Sequence, residues 1–191
     1  LKLADNTVLI FTSDNGCSPA AKTEELEAKG HFASEGRRGY KADIWDGGHR
    51  IPFIARWPGR VLPGATCDQT ICHTNLLATC AEILKVKLPD NAGEDSTSIA
   101  PLFGGEATEA AAFPPVVHQA ANGTLAIRRG KWKLVLGAPS TTDQLFDLQS
   151  DLAETKNIVA DQPKVTAELA ALLQKLIDDG RSTPGQAQKN D

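Results

Sequence analysis

A chain of 191 residues with 41% apolar and 23% charged side chains has the make-up of a globular protein and is long enough to bury a core. Its formal charge of −4 leaves no basic field along a surface, so no nucleic-acid partner is expected and any anion must be met by local groups. No run approaches the roughly 18 apolar residues of a membrane span, so none is expected in this chain.

From the N-terminus, Thr7 to Thr12 is a continuous β-rich run without alternation, which predicts a strand buried on both faces as in a parallel sheet. It runs into Ser13-Asp14-Asn15-Gly16, at the strand end where open α/β sheets gather ligand groups. Asp14 and Asn15 present one anionic and one neutral hard oxygen donor, half of a Ca²⁺ or Mg²⁺ site. The same four residues also satisfy plain turn chemistry, because Asn and Gly readily take positive φ.

Residues 18–46 are polar, with a helical turn expected over 24–29 and then a loop rich in Gly, Arg and Lys. Long loops of this kind are functional or disordered. A second strand is expected at 52–57, closed by the turn Trp57-Pro58-Gly59-Arg60. Cys72, Leu76, Leu77, Cys80, Ile83 and Leu84 recur near a 3.6-residue period, which predicts a helix from Asn75 to Leu84 with these residues on its buried face.

Past the Pro- and Gly-marked stretch from Pro89 to Pro115, short strands are expected at 116–118, 125–128, 131–136 and 144–148, with Arg129-Gly130 as a hairpin turn. A last amphipathic helix opens near Asp161 with Pro163 in its first turn, aligns Val165, Leu169, Leu172, Leu173 and Leu176, and stops at Gly180. The polar residues 181–191 read as a disordered tail. The expected organisation is α/β over 1–113, then a small antiparallel sheet subdomain with a capping helix over 114–180.

The four cysteines, Cys17, Cys67, Cys72 and Cys80, match neither a paired zinc motif nor a dense disulfide framework. They read as buried structural thiols, with a Cys67–Cys72 bridge as the alternative. The sequence begins at Leu1 and contains no Met, and its start has neither a basic leader nor an apolar h-region, so it reads as a fragment.

Between Arg37 and Arg50 five basic or titratable groups, Arg37, Arg38, Lys41, His49 and Arg50, fall within fourteen residues of an otherwise acidic chain. Glycines flank them and let backbone approach a ligand closely. A local oxyanion site needs this combination, and a solvated charged loop is the bland alternative.

Several motifs in order carry a resemblance. Asn6 to Gly16, Arg38-Gly39-Tyr40-Lys41 through Gly47-Gly48-His49-Arg50-Ile51-Pro52-Phe53, and Arg56-Trp57-Pro58-Gly59 resemble the arylsulfatase family in order and spacing. His73 to Thr79, Ala126 to Leu134 and Leu145-Phe146-Asp147-Leu148 continue the match, over roughly residues 5 to 158. The resemblance implies an alkaline-phosphatase-like α/β fold with a small C-terminal sheet subdomain. It implies hydrolysis of sulfate monoesters, aryl or carbohydrate, by a formylglycine nucleophile that lies upstream of this fragment. Asp14 and Asn15 would complete a calcium site, with Mg²⁺ as the alternative and further carboxylates upstream, and Lys41 would touch the sulfate as a compact point charge. Arg38 and His49 are candidates to line the sulfate or the leaving group, and a periplasmic or secreted location follows from the family alone.

The departures are Asn75, where the family often has Asp, and Leu152, where it often has Pro; both read as structural. The nucleophile motif Cys/Ser-x-Pro-x-Arg is absent, since Cys17-Ser18-Pro19-Ala20-Ala21 lacks the Arg, and the fragment alone is expected to be inactive. His73 and His118 read as structural. The rival functions are a phosphodiesterase or phosphonate hydrolase of the same fold and a degenerate, non-catalytic sulfatase-like binding protein.

Overall fold

The computed structural model describes residues 2–104, 113–138 and 141–189. Strand β1 (Leu9–Thr12) forms inside the expected run and hydrogen-bonds to β2 (Phe53–Arg56) in a two-stranded sheet. Burial alternates along β1, and Leu9 and Phe11 are 60% and 63% exposed. The expectation of a strand buried on both faces is therefore not met in this chain: one face is open among the described residues.

Helix α1 (Thr23–Ala28) occupies the expected helical turn. The one-turn helix α2 (Asp46–His49) was not visible in the sequence, because its Gly47-Gly48 centre has poor helix propensity and only tertiary contacts can hold it. Helix α3 (Asn75–Leu84) has the expected bounds, but its buried residues are Asn75, Thr79 and Ala81, while Leu76 and Ile83 of the expected set are half-buried. Asn75 and Thr79 are inside, while Cys80 is exposed and Leu84 is 70% exposed. Hydrogen bonds explain the buried polar residues: Asn75 Nδ2 donates to Thr97 O at 2.8 Å, and Thr79 Oγ1 accepts from Ile99 N–H at 3.0 Å. The buried-thiol reading accordingly fails at Cys67 and Cys80, and all four cysteines are free, without a Cys67–Cys72 bridge. A second short helix missed by the sequence, α4 (Ala100–Phe103), sets Phe103 edge-on to Trp57 at 6.0 Å.

The C-terminal half follows its pattern closely. Strands β3 (Val116–Gln119), β4 (Leu125–Arg129), β5 (Trp132–Val135) and β6 (Gln144–Asp147) form one sheet in chain order, with β4–β5 and β5–β6 antiparallel. Gly130 turns the β4–β5 hairpin at φ 58°, a conformation that favours glycine. Ala126, Val135, Phe146 and Leu148 pack with Ile44 and Ala120 into a core that Trp45 partly covers. Helix α5 (Pro163–Asp179) begins on the expected proline, buries Leu169 and Leu173, and ends before Gly180 at φ 63°.

Residues 181–189, for which the sequence predicts disorder, are held in place. The buried Arg181 guanidinium bonds Asp90 Oδ1 at 3.2 Å, Thr183 O at 2.9 Å and Gln186 O at 2.9 Å. A polar composition hid a packed polar network, because one arginine carries five donors that can order a loop around it. Residues 190–191 of the expected tail and 105–112, just before the expected subdomain boundary, lie outside the described residues.

The chain divides into two units, one drawn from Leu1–Ile10, Ile54–Val116 and Leu172–Asp191, the other from Phe11–Phe53 and Val117–Ala171. All the candidate site residues belong to the second. No helix among the described residues is long and apolar enough to cross a membrane.

Candidate functional site

The turn after β1 is built by its own small side chains. Ser13 Oγ donates to Asn15 O at 3.0 Å, and Asn15 Nδ2 donates to Gly16 O at 3.0 Å. With its amide nitrogen committed, Asn15 has its carboxamide oxygen left to accept. Asp14 is exposed, and no hydrogen bond or ion pair engages its carboxylate among the described residues. The pair can offer two oxygen donors to a hard cation.

Two backbone hydrogen bonds tie this turn to the charged loop: Gly16 N–H donates to Gly48 O at 2.9 Å, and Lys41 N–H donates to Cys17 O at 2.9 Å. Gly47 N–H closes the loop on itself through Arg38 O at 2.8 Å. The glycines are required by this close approach, since a Cβ on Gly16 would overlap the Gly47 carbonyl oxygen and one on Gly47 would overlap Gly39 O. The flanking glycines of the sequence thus let backbone approach backbone.

Sequence-predicted residues are brought together unequally. Lys41 is exposed, and among the described residues its ammonium has no ion pair. Arg38 lays its guanidinium 3.5 Å from the Trp45 ring centroid and donates from Nη1 to Glu154 O at 3.1 Å, which spends part of its donor capacity on the loop itself. His49 ends α2, half-buried, with its ring 4.6 Å from that of His118. Burial, then the nearby Lys133 charge, lowers the His49 pKa, while the Asp43 backbone opposes this through a hydrogen bond. His118 is 7% exposed, and burial, followed by Lys133, holds its pKa well below the usual value, so its ring is neutral at pH 7.

Under this loop lies a set of buried charges that the sequence reading missed. Glu154 and Lys133 are both 0% exposed, and Lys133 Nζ stands 2.7 Å from Glu154 Oε1, as an ion pair more than an aligned hydrogen bond. Glu154 Oε2 accepts the Asp46 backbone N–H at 2.6 Å. The Asp46 carboxylate, itself buried, lies 3.2 Å from Arg128 and 3.6 Å from Arg37. Burial raises the Glu154 pKa and lowers that of Lys133, each toward neutrality, and each is opposed by the other's charge. One signal was available: Lys133 and Arg128 face each other across the β4–β5 register, and two opposed cations need carboxylates nearby.

Among the described residues no group of three or more His, Cys, Asp and Glu side chains is placed to hold a metal ion. The arrangement can present a partial oxygen-ligand set and a free ammonium on one backbone-locked segment, over a buried charged floor.

Comparisons with known proteins converge on one group. A family model described as N-sulphoglucosamine sulphohydrolase, C-terminal, matches residues 40–182. The N-acetylgalactosamine-6-O-sulfatase of Bacteroides thetaiotaomicron is 34% identical over 194 residues, covering 92% of this chain and 37% of that protein. A solved Bacteroides thetaiotaomicron structure, described under the metabolism of multiple glycosaminoglycans, matches with a TM-score of 0.80 at 32% identity, covering 92% of this chain and 39% of that one. A solved protein in complex with its substrate D-glucosamine-2-N,6-O-disulfate matches with a TM-score of 0.66 at 22% identity, over 90% of this chain and 34% of that one, and shares the fold. The chain thus spans less than half the length of each.

Proposed function

The chain belongs to the sulfatase family, whose alkaline-phosphatase-like α/β fold it shares, and from that premise we propose that it is the C-terminal part of an enzyme that hydrolyses sulfate monoesters. Carbohydrate sulfates are the substrate class, as the names of the similar N-acetylgalactosamine-6-O-sulfatase and of the disulfated glucosamine complex suggest. Export to the periplasm or out of the cell belongs to the same proposal.

The observation that carries the reading is the pair of backbone ties, Gly16 to Gly48 and Lys41 to Cys17, which joins a turn with two oxygen donors to a loop bearing an unpaired ammonium. A divalent cation and a sulfate group need these two things side by side. The donor set fits Ca²⁺, with Mg²⁺ as the alternative: Asp14 supplies charge, and Asn15 supplies a neutral oxygen whose geometry is set by its Nδ2 bond to Gly16 O. The remaining ligands come from upstream in this reading. When bound, the cation would offset charge on the sulfuryl oxygens. Lys41, whose backbone is tied to Cys17 O, would hold one of those oxygens with a compact ammonium. Arg38 and His49, on the same locked loop, are kept as substrate-side groups. The nucleophile, a formylglycine made from Cys or Ser, comes from upstream, so this polypeptide alone does not turn over.

The test is the full-length protein of the gene, assayed on matched sulfate and phosphate esters of sugars and phenols, with peptide mass spectrometry for formylglycine. Sulfate ester turnover with the modified residue is the expected result. Turnover of phosphate or phosphonate esters only, or none with any ester, would overturn the reading. Calorimetry checks the metal separately: Asp14→Ala should weaken calcium binding more than Asn15→Ala, because it removes a charge as well as a ligand.

A further inference from the structure

Glu154 is an unusual residue. It is fully buried, its backbone sits at φ 50° in a region glutamate seldom adopts, and its side chain and main chain reach three separate partners. Oε1 faces Lys133 Nζ at 2.7 Å, Oε2 accepts Asp46 N–H at 2.6 Å, and the main-chain oxygen accepts Arg38 Nη1 at 3.1 Å. Trp45, which precedes α2, supplies no side-chain cap, so a carboxylate 108 residues away in sequence takes that role. From α2 the connection continues: Gly48 O accepts Gly16 N–H, next to Asn15, and His49 closes the helix.

A buried ion pair is weak as a stabiliser, since well-packed apolar replacements are often neutral or better. Stability therefore gives little reason for Lys133 and Glu154 to be where they are. The contacts of Glu154 give one: an ion pair at Oε1 and hydrogen bonds accepted at Oε2 and at the main-chain oxygen. We infer that the Lys133–Glu154 pair is the positioning device of the site: Lys133 fixes the carboxylate, and the carboxylate fixes the backbone of α2, from which both His49 and the Asp14-Asn15 turn take their places. Lys133 and Glu154 touch no substrate; they act through Asp46, Gly48 and Gly16. The inference rests on the sulfatase reading for its catalytic consequence, while its structural consequence stands apart from that reading.

Two double variants of the full-length protein separate positioning from stability. Lys133→Met with Glu154→Leu removes both charges and the acceptor for Asp46 N–H, whereas Lys133→Met with Glu154→Gln removes the charges and keeps an acceptor. Both should unfold cooperatively, with denaturant midpoints far closer to wild type than that of Lys133→Met alone. On a sulfate ester the Leu double should lose about 10–100-fold in kcat with a smaller change in KM, and the Gln double should recover most of that rate. Amide hydrogen exchange over residues 46–49 should show protection lost in the Leu double and retained in the Gln double. Equal kcat in the two doubles, or equal protection of these amides in wild type and the Leu double, would overturn the inference. If the wild-type protein hydrolyses no sulfate ester, the functional reading fails by itself, and the exchange data still decide whether Glu154 holds α2.

Discussion

The rim and the floor of the candidate site use charge in opposite ways. On the rim, Asp14 and Lys41 are exposed, and among the described residues neither carboxylate nor ammonium has a partner. In the floor, Lys133, Glu154 and Asp46 are buried, and each is paired. Water dissipates the field of a rim charge, so such a residue gives the fold little and is free to meet a ligand. A floor charge has lost its water and must be answered by protein groups, so its value lies in the geometry it enforces.

That contrast is broken most forcefully in the floor. Lys133→Met alone leaves Glu154 buried without its cation and should cost about 3–5 kcal/mol in a denaturant unfolding experiment, most of it recovered when Glu154→Leu is added. If the single variant loses under about 1 kcal/mol, water already reaches the pair and the floor is no floor. The rim answers in the other measurement. Lys41→Ala in the full-length enzyme should lower kcat/KM on sulfate esters by ~10²–10³, or ~3–4 kcal/mol, while the unfolding midpoint stays put. Unchanged kcat/KM across several sulfate esters would make Lys41 a solvated loop residue.

A smaller effect follows from His118, which burial keeps neutral. Its folded pKa is depressed below the ordinary 6.5, so the unfolded chain takes up a proton that the folded chain refuses. The stability is present in full above pH ~6.5 and is lost as pH falls toward the folded pKa, with a slope of at most ~1.4 kcal/mol per pH unit from this group. The difference in slope between wild type and His118→Gln over pH 7 to 5.5 measures it, and identical slopes would place His118 in contact with water. Smallest of all is the surface pair Lys131–Asp147, 2.7 Å apart with the lysine side chain 43% and the aspartate side chain 18% exposed. Lys131→Ala should cost no more than ~1 kcal/mol and lose even that in high salt, which a melt at two ionic strengths will show.

Local order was legible where side-chain period and turn residues agree. The strands of the four-stranded sheet with the Arg129-Gly130 turn, the bounds of α3 and the span of α5 from Pro163 to just before Gly180 all follow from spacing that each segment carries within itself. The family motifs pointed to Asp14, Asn15 and Lys41 as one site, and the backbone ties from Gly16 and Lys41 join the segments that bear them. The buried face of α3 is legible only in part: Leu76 and Ile83 are half-buried as their period predicts, but Asn75 and Thr79 are buried by hydrogen bonds to the 97–99 segment that no helical period records.

Composition, period and motif order were enough to specify the class of fold, the main elements and the family, because each depends on neighbours within a few residues or on short runs in a set order. The tertiary structure alone decided that α2 exists, that Arg181 orders residues 183–186 around it, and that Glu154 holds Asp46. Those outcomes depend on partners far apart in sequence, as in the 108 residues between Asp46 and Glu154, whose meeting desolvates both groups and so determines which charges the fold must answer.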